Sequence, residues 1–273
     1  MNATRRLRHS PEGGYARGDE TRRRIIDAAI ALFGQHGFDG ASTRDIAARA
    51  GVNAPALQYY FENKEGLYRA CAETFAEESW QALEPAVTLA RDALLRDAGT
   101  SALIDAFIGI QEAVAERMFV KRRATTDQRL FFAREQAGGE PDIGKQVLME
   151  RVRMPLHQVS TQLLERISGV PAGDPLTIVR MYSLHGQLLY FCIAHDTAMT
   201  MLGWSELDED KAALLKDNMR AQSRVLLEHW SRERLARERA AAKTAGTKRK
   251  TPARPVATKQ AVTAKRAVGK RSA

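Results

Sequence analysis

Residues 43–65 read TRDIAARAGVNAPALQYYFENKE, and the glycine in the middle of that stretch constrains the chain more than any other feature. Ile46, Ala47 and Ala50 make the apolar side of a brief helix. Ser42 is its N-cap, with Asp45 three residues on as a short capping-box partner. Gly51 interrupts it. A residue that tolerates positive φ lets the chain turn sharply, Val52 plugs the corner, and Asn53 caps a further helix that opens with Ala54-Pro55. Pro55 is tolerated because first-turn amides have no intrahelical partner. Two short helices joined by a tight turn containing glycine are the pattern of a helix-turn-helix, whose second helix enters the major groove of DNA.

The side chains at the start of that second helix are small or neutral. Asn53, Ala54, Pro55, Ala56 and Gln58 are expected to face base edges, the apolar ones suited to thymine methyls and Asn53 or Gln58 to adenine. Tyr59, Tyr60 and Lys64 suit a different task, because phenolic hydroxyls and an ammonium beside a helix N-terminus grip phosphate oxygens without reading sequence. Thr43, at the start of the preceding helix, is expected to do the same on the opposite strand, and Arg44 beside it joins the DNA-contacting set. The plainer reading makes Tyr59, Tyr60 and Phe61 core aromatics of a three-helix unit. That fits Phe61 but leaves the clustered polar tips unexplained.

The rest of the chain reads as all-α. Ile26, Ala29, Ile30 and Phe33 fall on one stripe of a first helix that begins near Asp19 and ends at Gly37. Asn63 caps a fourth helix through Leu67, Cys71 and Phe75, with Pro85 expected to kink or break it. Further stripes run through Leu103, Phe107, Ile110 and Val114; through Val147, Val152, Leu156, Val159, Leu163 and Ile167, kinked at Pro155; and through Leu215, Met219, Leu226 and Trp230. Residues 178–195, IVRMYSLHGQLLYFCIAH, are apolar on nearly all faces and predict a buried helix. With no strand-like alternation, about nine helices are expected.

Charge is divided unevenly. The total is +9, but residues 1–24 carry +4 and residues 240–273 carry +10, which leaves the middle at −5. Residues 1–18 are rich in Gly, Pro, Arg and polar groups and predict a disordered arm. Residues 239–273 have no aromatic residue and scarcely any large apolar one, so a disordered basic tail is expected, able to bind phosphate backbones without sequence preference. Between them, residues 19–68 form the DNA-binding domain and residues 69–238 a helical body. Two distant cysteines, Cys71 and Cys192, point to a reducing compartment. No run is apolar enough for a membrane span or an h-region, so a cytoplasmic protein is expected.

Residues 21–68 resemble the DNA-binding domain of the TetR/AcrR family of bacterial transcriptional regulators. The likeness rests on Phe33, Gly37 and Phe38, on Ser42 or Thr43 with Ile46 and Ala47, on Ala50 to Val52, and on Tyr59 to Leu67. The chain departs from the family where Asn53 stands in place of a common serine and where Gln58-Tyr59-Tyr60-Phe61 replaces Tyr-Tyr-His-Phe. The phosphate grip therefore shifts partly to Tyr60. FFAREQ (131–136), RVRMPLHQ (151–158), HGQLLYF (185–191) and MLGW (201–204) resemble the C-terminal domain of the CecR-type subgroup. The resemblance implies a homodimer, an all-helical regulatory domain and a small-molecule effector. It also implies a double-stranded operator that is nearly palindromic, and a repressor more often than an activator.

Pairing is expected through the last two long helices, about 174–201 and 207–237, and effector binding is expected to swing the fourth helix, a coupling of about 1–3 kcal/mol being sufficient. Arg153, His157, Tyr182, His185 and Gln187 are polar groups in otherwise apolar helices and are the candidate effector contacts, although Tyr182, His185 and Gln187 cannot share one helical face. Satisfied core polar groups are an equal reading of each. Cys192 and His195 stand at metal-ligand spacing without an evident third ligand, so neither metal nor cofactor is expected. No phosphate-loop, zinc-protease, nucleophile-elbow or paired-cysteine motif points to an enzyme. The rival reading is a nucleoid-associated DNA binder dominated by the tail.

Overall fold

The computed structural model describes residues 11–120 and 126–249, and every regular element among them is helical. The order is α1 (Pro11–Gly40), α2 (Thr43–Ala50), α3 (Ala54–Tyr60), α4 (Lys64–Leu95), α5 (Thr100–Ala115), α6 (Thr126–Ala137), α7 (Asp142–Leu148), α8 (Met154–Ser168), α9 (Pro175–Ile193), α10 (His195–Leu202) and α11 (Glu209–Arg249). π-helical turns occupy Glu116–Val120 and Met149–Arg153. One compact unit runs to Arg234, and a second begins at Leu235, where α11 continues.

The capping pattern of the N-terminal head follows the sequence. Ser42 Oγ accepts the Asp45 amide, Asn53 Oδ1 accepts the Ala56 amide at 2.9 Å, and Asn63 Oδ1 accepts the Gly66 amide at 2.7 Å. Gly51 has φ +67, and the amides that follow α2 return to Ala47 and Ala48 carbonyls, so the turn is closed by backbone. Gly37, at φ +74, ends the main run of α1 where the sequence placed its stop. Ile25, Phe33, Ile46, Leu57, Phe61 and Leu67 share one buried core with Tyr68, Cys71 and Phe131 of α6. The body has its own core, in which Val87, Phe107, Ile110, Leu163, Leu184 and Leu227 meet.

Several elements depart from expectation for identifiable reasons. α4 continues through Pro85 without breaking, because a long helix packed on α5 and α8 forgoes one hydrogen bond at the expense of a single carbonyl. Pro155 sits in the first turn of α8, and the π-helical turn just before it absorbs the missing amide, so the disruption precedes the proline. The 174–201 stretch is two helices, separated at Ala194 (φ −103, ψ 37).

The apolar segment 178–195 is only half covered. Met181 and Leu184 are buried, whereas Val179, Tyr190 and Ile193 are exposed. On α11 the buried series is Ala212, Met219, Ser223, Leu227 and Ser231, and Leu226 is turned outward. Residues 11–18, expected in the arm, belong to α1, and residues 239–249, expected in the tail, belong to α11. The rest of the arm and tail, 1–10 and 250–273, lies outside the described residues.

Candidate nucleic-acid interface and a cavity in the body

One face of the head gathers the side chains singled out from sequence. Thr43 and Arg44 are exposed at the start of α2, and Asn53, Ala54, Pro55, Gln58 and Tyr59 are exposed on α3, with Tyr59 85% accessible. Leu57 and Phe61 turn inward and fix the helix on the core. The two candidate amide readers are not equivalent. Asn53 commits its carbonyl oxygen to the α3 cap, while the exposed Gln58 makes no cap bond and keeps both amide groups available.

Tyr60 and Lys64 combine packing with exposure. The Tyr60 ring packs against the head core, edge-on to Tyr59 at 5.3 Å between centroids. Lys64 is steered by the Phe38 ring, 4.5 Å from its centroid, and by the Asp39 carbonyl at 3.5 Å. The tyrosine pair is therefore divided: the Tyr60 ring is partly buried against the core, and Tyr59 projects into solvent. Sequence reasoning missed Arg24. Its guanidinium lies beside the turn, 3.9 Å from where a Cβ on Gly51 would stand. The signal for it in the sequence is the arginine run 22–24 near the start of the first helix.

α6 ties the head to the body. Arg134 donates to the Gly34 carbonyl at 2.7 Å and the Gln35 carbonyl at 2.9 Å, capping the end of α1. Glu140, just past α6, accepts the Phe38 amide at 2.9 Å, and Asp127 accepts from the Gln35 side chain at 3.1 Å. Glu135 is buried and accepts the Tyr68 hydroxyl at 3.1 Å. Burial pushes both its carboxyl and the Tyr68 hydroxyl upward.

The opposite face of α6 borders a cavity of about 760 Å³. Phe75 and Leu83 of α4, Phe132 of α6, and Met181 and Leu189 of α9 make its walls largely apolar. Four candidate effector contacts line it: Arg153, His157, Tyr182 and His185. Gln187 does not. Two residues beyond His185, it is turned about 200° around α9. Among the described residues no group of three or more His, Cys, Asp or Glu side chains is placed to hold a metal ion.

His185 bonds to Ser160 Oγ at 3.2 Å and lies against Phe107. Burial pushes it down to about 4 from the ordinary 6.5, so the ring is neutral near pH 7. The unfolded chain binds more protons between those values, so stability present above pH 6.5 is lost as pH falls towards 4. The loss at pH 5 is about 2 kcal/mol for a shift of this size. His185→Gln retains a neutral polar group and should lose less thermal stability than the parent between pH 7.5 and 5. Equal losses would contradict a role for His185 in acid sensitivity.

Comparison with known proteins adds to the geometry. Residues 25–71 match the family model described as bacterial regulatory proteins, tetR family, and residues 103–229 match that of the C-terminal domain of the HTH-type transcriptional dual regulator CecR. The chain is 30% identical over 219 residues to the dual regulator CecR of Shigella flexneri, covering 80% of this chain and 96% of that protein. The tetracycline repressor protein class A of Escherichia coli is 44% identical over 55 residues, 20% of this chain and 26% of the repressor. The fold also matches AibR, solved with isovaleryl coenzyme A and operator DNA, at a TM-score of 0.54 and 16% identity, over 74% of this chain and 97% of that one.

Proposed function

Since this chain belongs to the tetR family of bacterial regulatory proteins and is a DNA-binding transcriptional regulator, we propose that it works as a homodimeric repressor, released from a near-palindromic operator by a small-molecule effector. The observation that carries this reading is the two-sided role of α6. Phe132 and Gln136 face the cavity, while Arg134, Glu135 and the nearby Glu140 hold α1 and Tyr68 of the head. A ligand that shifts α6 by a fraction of an ångström acts on the bonds that orient the reading helix. Differential binding of about 1–3 kcal/mol between two head positions is enough to change operator occupancy many-fold.

Pairing is assigned to α9 and α11. Val179, Tyr190 and Ile193 on α9 and Leu214 and Val225 on α11 are exposed apolar groups at helical spacing, a pattern that needs a partner surface. Two-fold pairing sets the two copies of α3 about one DNA turn apart, roughly 34 Å, or somewhat more. The cytoplasm follows from the activity, since the operator is there. No helix among the described residues is long and apolar enough to cross a membrane.

The division of labour on the head is testable by fluorescence anisotropy on a selected operator and its single-base variants. Tyr60→Phe and Lys64→Met should weaken binding to all sequences alike, and Lys64→Met, which removes a charge, should also reduce the salt dependence. Gln58→Ala should relax preference at one base pair per half-site, by about 1–3 kcal/mol. Equal effects of all three on every sequence would contradict the separation of phosphate and base contacts.

A further inference from the structure

The chemistry of the cavity specifies what enters it. Both π-helical turns of the described chain border this one cavity, and each brings an arginine to its lining, Arg117 from the first and Arg153 from the second. Such widened turns interrupt the regular ladder and re-aim side chains, and they recur at functional sites. Arg129 of α6 adds a third cation, and among the described residues no aspartate or glutamate lines the space. Two carboxylates lie near without entering it. Glu78 of α4 stands 3.9 Å from Arg117, and Glu135 of α6 lies within electrostatic reach of Arg153 while accepting the Tyr68 hydroxyl.

Arg153 Nη2 is buried and has no hydrogen-bond partner among the described residues. An enclosed guanidinium nitrogen left unbonded is costly, and a ligand oxygen would satisfy it. Most of the remaining wall is apolar, with Phe75, Leu83, Phe132 and Met181 among it, and its other polar groups include His157, Tyr182, His185 and Gln136.

Resting on the reading of this cavity as the effector site, we propose that the effector is an amphipathic organic anion, its carboxylate-type head on Arg153 and its apolar body between the phenylalanines of α4 and α6. The head satisfies the buried guanidinium, and the body covers Phe132, so binding presses on the helix that holds the DNA head. Arg153 also lies within electrostatic reach of Glu135, so an anion bound to it changes the field at the carboxylate bonded to Tyr68 and links charge in the cavity to the core of the head.

Isothermal titration of the full chain without DNA tests this with three probes that share one apolar chain: decanoate, decanol and decylamine. Decanoate is expected to bind about tenfold or more tighter than decanol, with decylamine weakest, the size expected of a hydrogen bond to a charged group. Arg153→Met should bring decanoate to the level of decanol and leave decanol unchanged, and Arg153→Lys should recover part of the preference. Decylamine binding as tightly as decanoate to the unmodified chain would overturn the proposal, and so would an unaltered decanoate preference in Arg153→Met. The ranking on the unmodified chain decides even if a variant does not fold. A chain that prefers decanoate but selects no DNA sequence would contradict the regulatory reading and leave this one standing. A chain that binds an operator but prefers decylamine would do the reverse.

Discussion

Gly34→Ala is expected to lower the unfolding free energy by about 1–3 kcal/mol, although the same change at another helical glycine should raise it. The reason is the closeness of α1 and α6. A Cβ on Gly34 would stand 2.7 Å from the Asp127 carbonyl oxygen and 3.0 Å from the Phe131 amide nitrogen, both backbone atoms that no rotamer change can move. The helices must separate, and the Arg134 bonds to Gly34 and Gln35 lengthen with them. Gly109, inside α5, has nothing within 4 Å of a built Cβ, so Gly109→Ala gains helix propensity, about 0.5–1 kcal/mol, without a clash. Urea denaturation of the two variants and the parent gives both signs in one experiment. Gly34→Ala as stable as Gly109→Ala would mean that the α1–α6 contact yields easily and is not the rigid tie between head and body described above.

Monomerisation should have the larger effect on function. Val179→Asp with Val225→Asp places a charge on each of the two exposed helices, at residues 60% and 62% accessible, so the fold of one protomer has little reason to change. A C2 interface repeats each substitution, which sets four like charges into one apolar contact. Specific operator affinity should fall by about a thousandfold or more, because each half-site is then bound without the effective concentration supplied by its partner. Sedimentation should show half the parent mass, and far-ultraviolet circular dichroism an unchanged helical signal. A variant that stays dimeric, or that binds the full operator as tightly as the parent, would place the pairing surface elsewhere.

Much of the head was legible because its determinants are local. A cap and a left-handed glycine each act within a few residues, so Ser42, Gly51, Asn53 and Asn63 stand as their types dictate. The exposure of Asn53, Gln58 and Tyr59 followed from the same locality. Arg24 escaped because its position beside Gly51 is a tertiary fact, created only when α1 crosses the turn. In the body, periodicity gave the stripes but not the partner of each stripe. A segment apolar on all sides, 178–195, reads as buried whether its second face meets the same chain or another copy. Only the fold separates the covered Leu184 from the exposed Val179. Pro155 signalled an irregularity, and the fold put it one turn earlier, in the π-helical stretch that carries Arg153. The cavity itself was foreshadowed by polar residues in apolar helices. Gln187 failed that rule because helical phase, not proximity in sequence, decides which side chains converge.

Recovery of bound fragments from random double-stranded DNA by the full chain tests the central claim most directly. The expected result is one enriched motif with two inverted half-sites whose centres lie about one helical turn apart, retained when selection is repeated at higher salt. Enrichment of no motif, or of a single asymmetric one, would contradict a homodimeric regulator that reads its operator through α3.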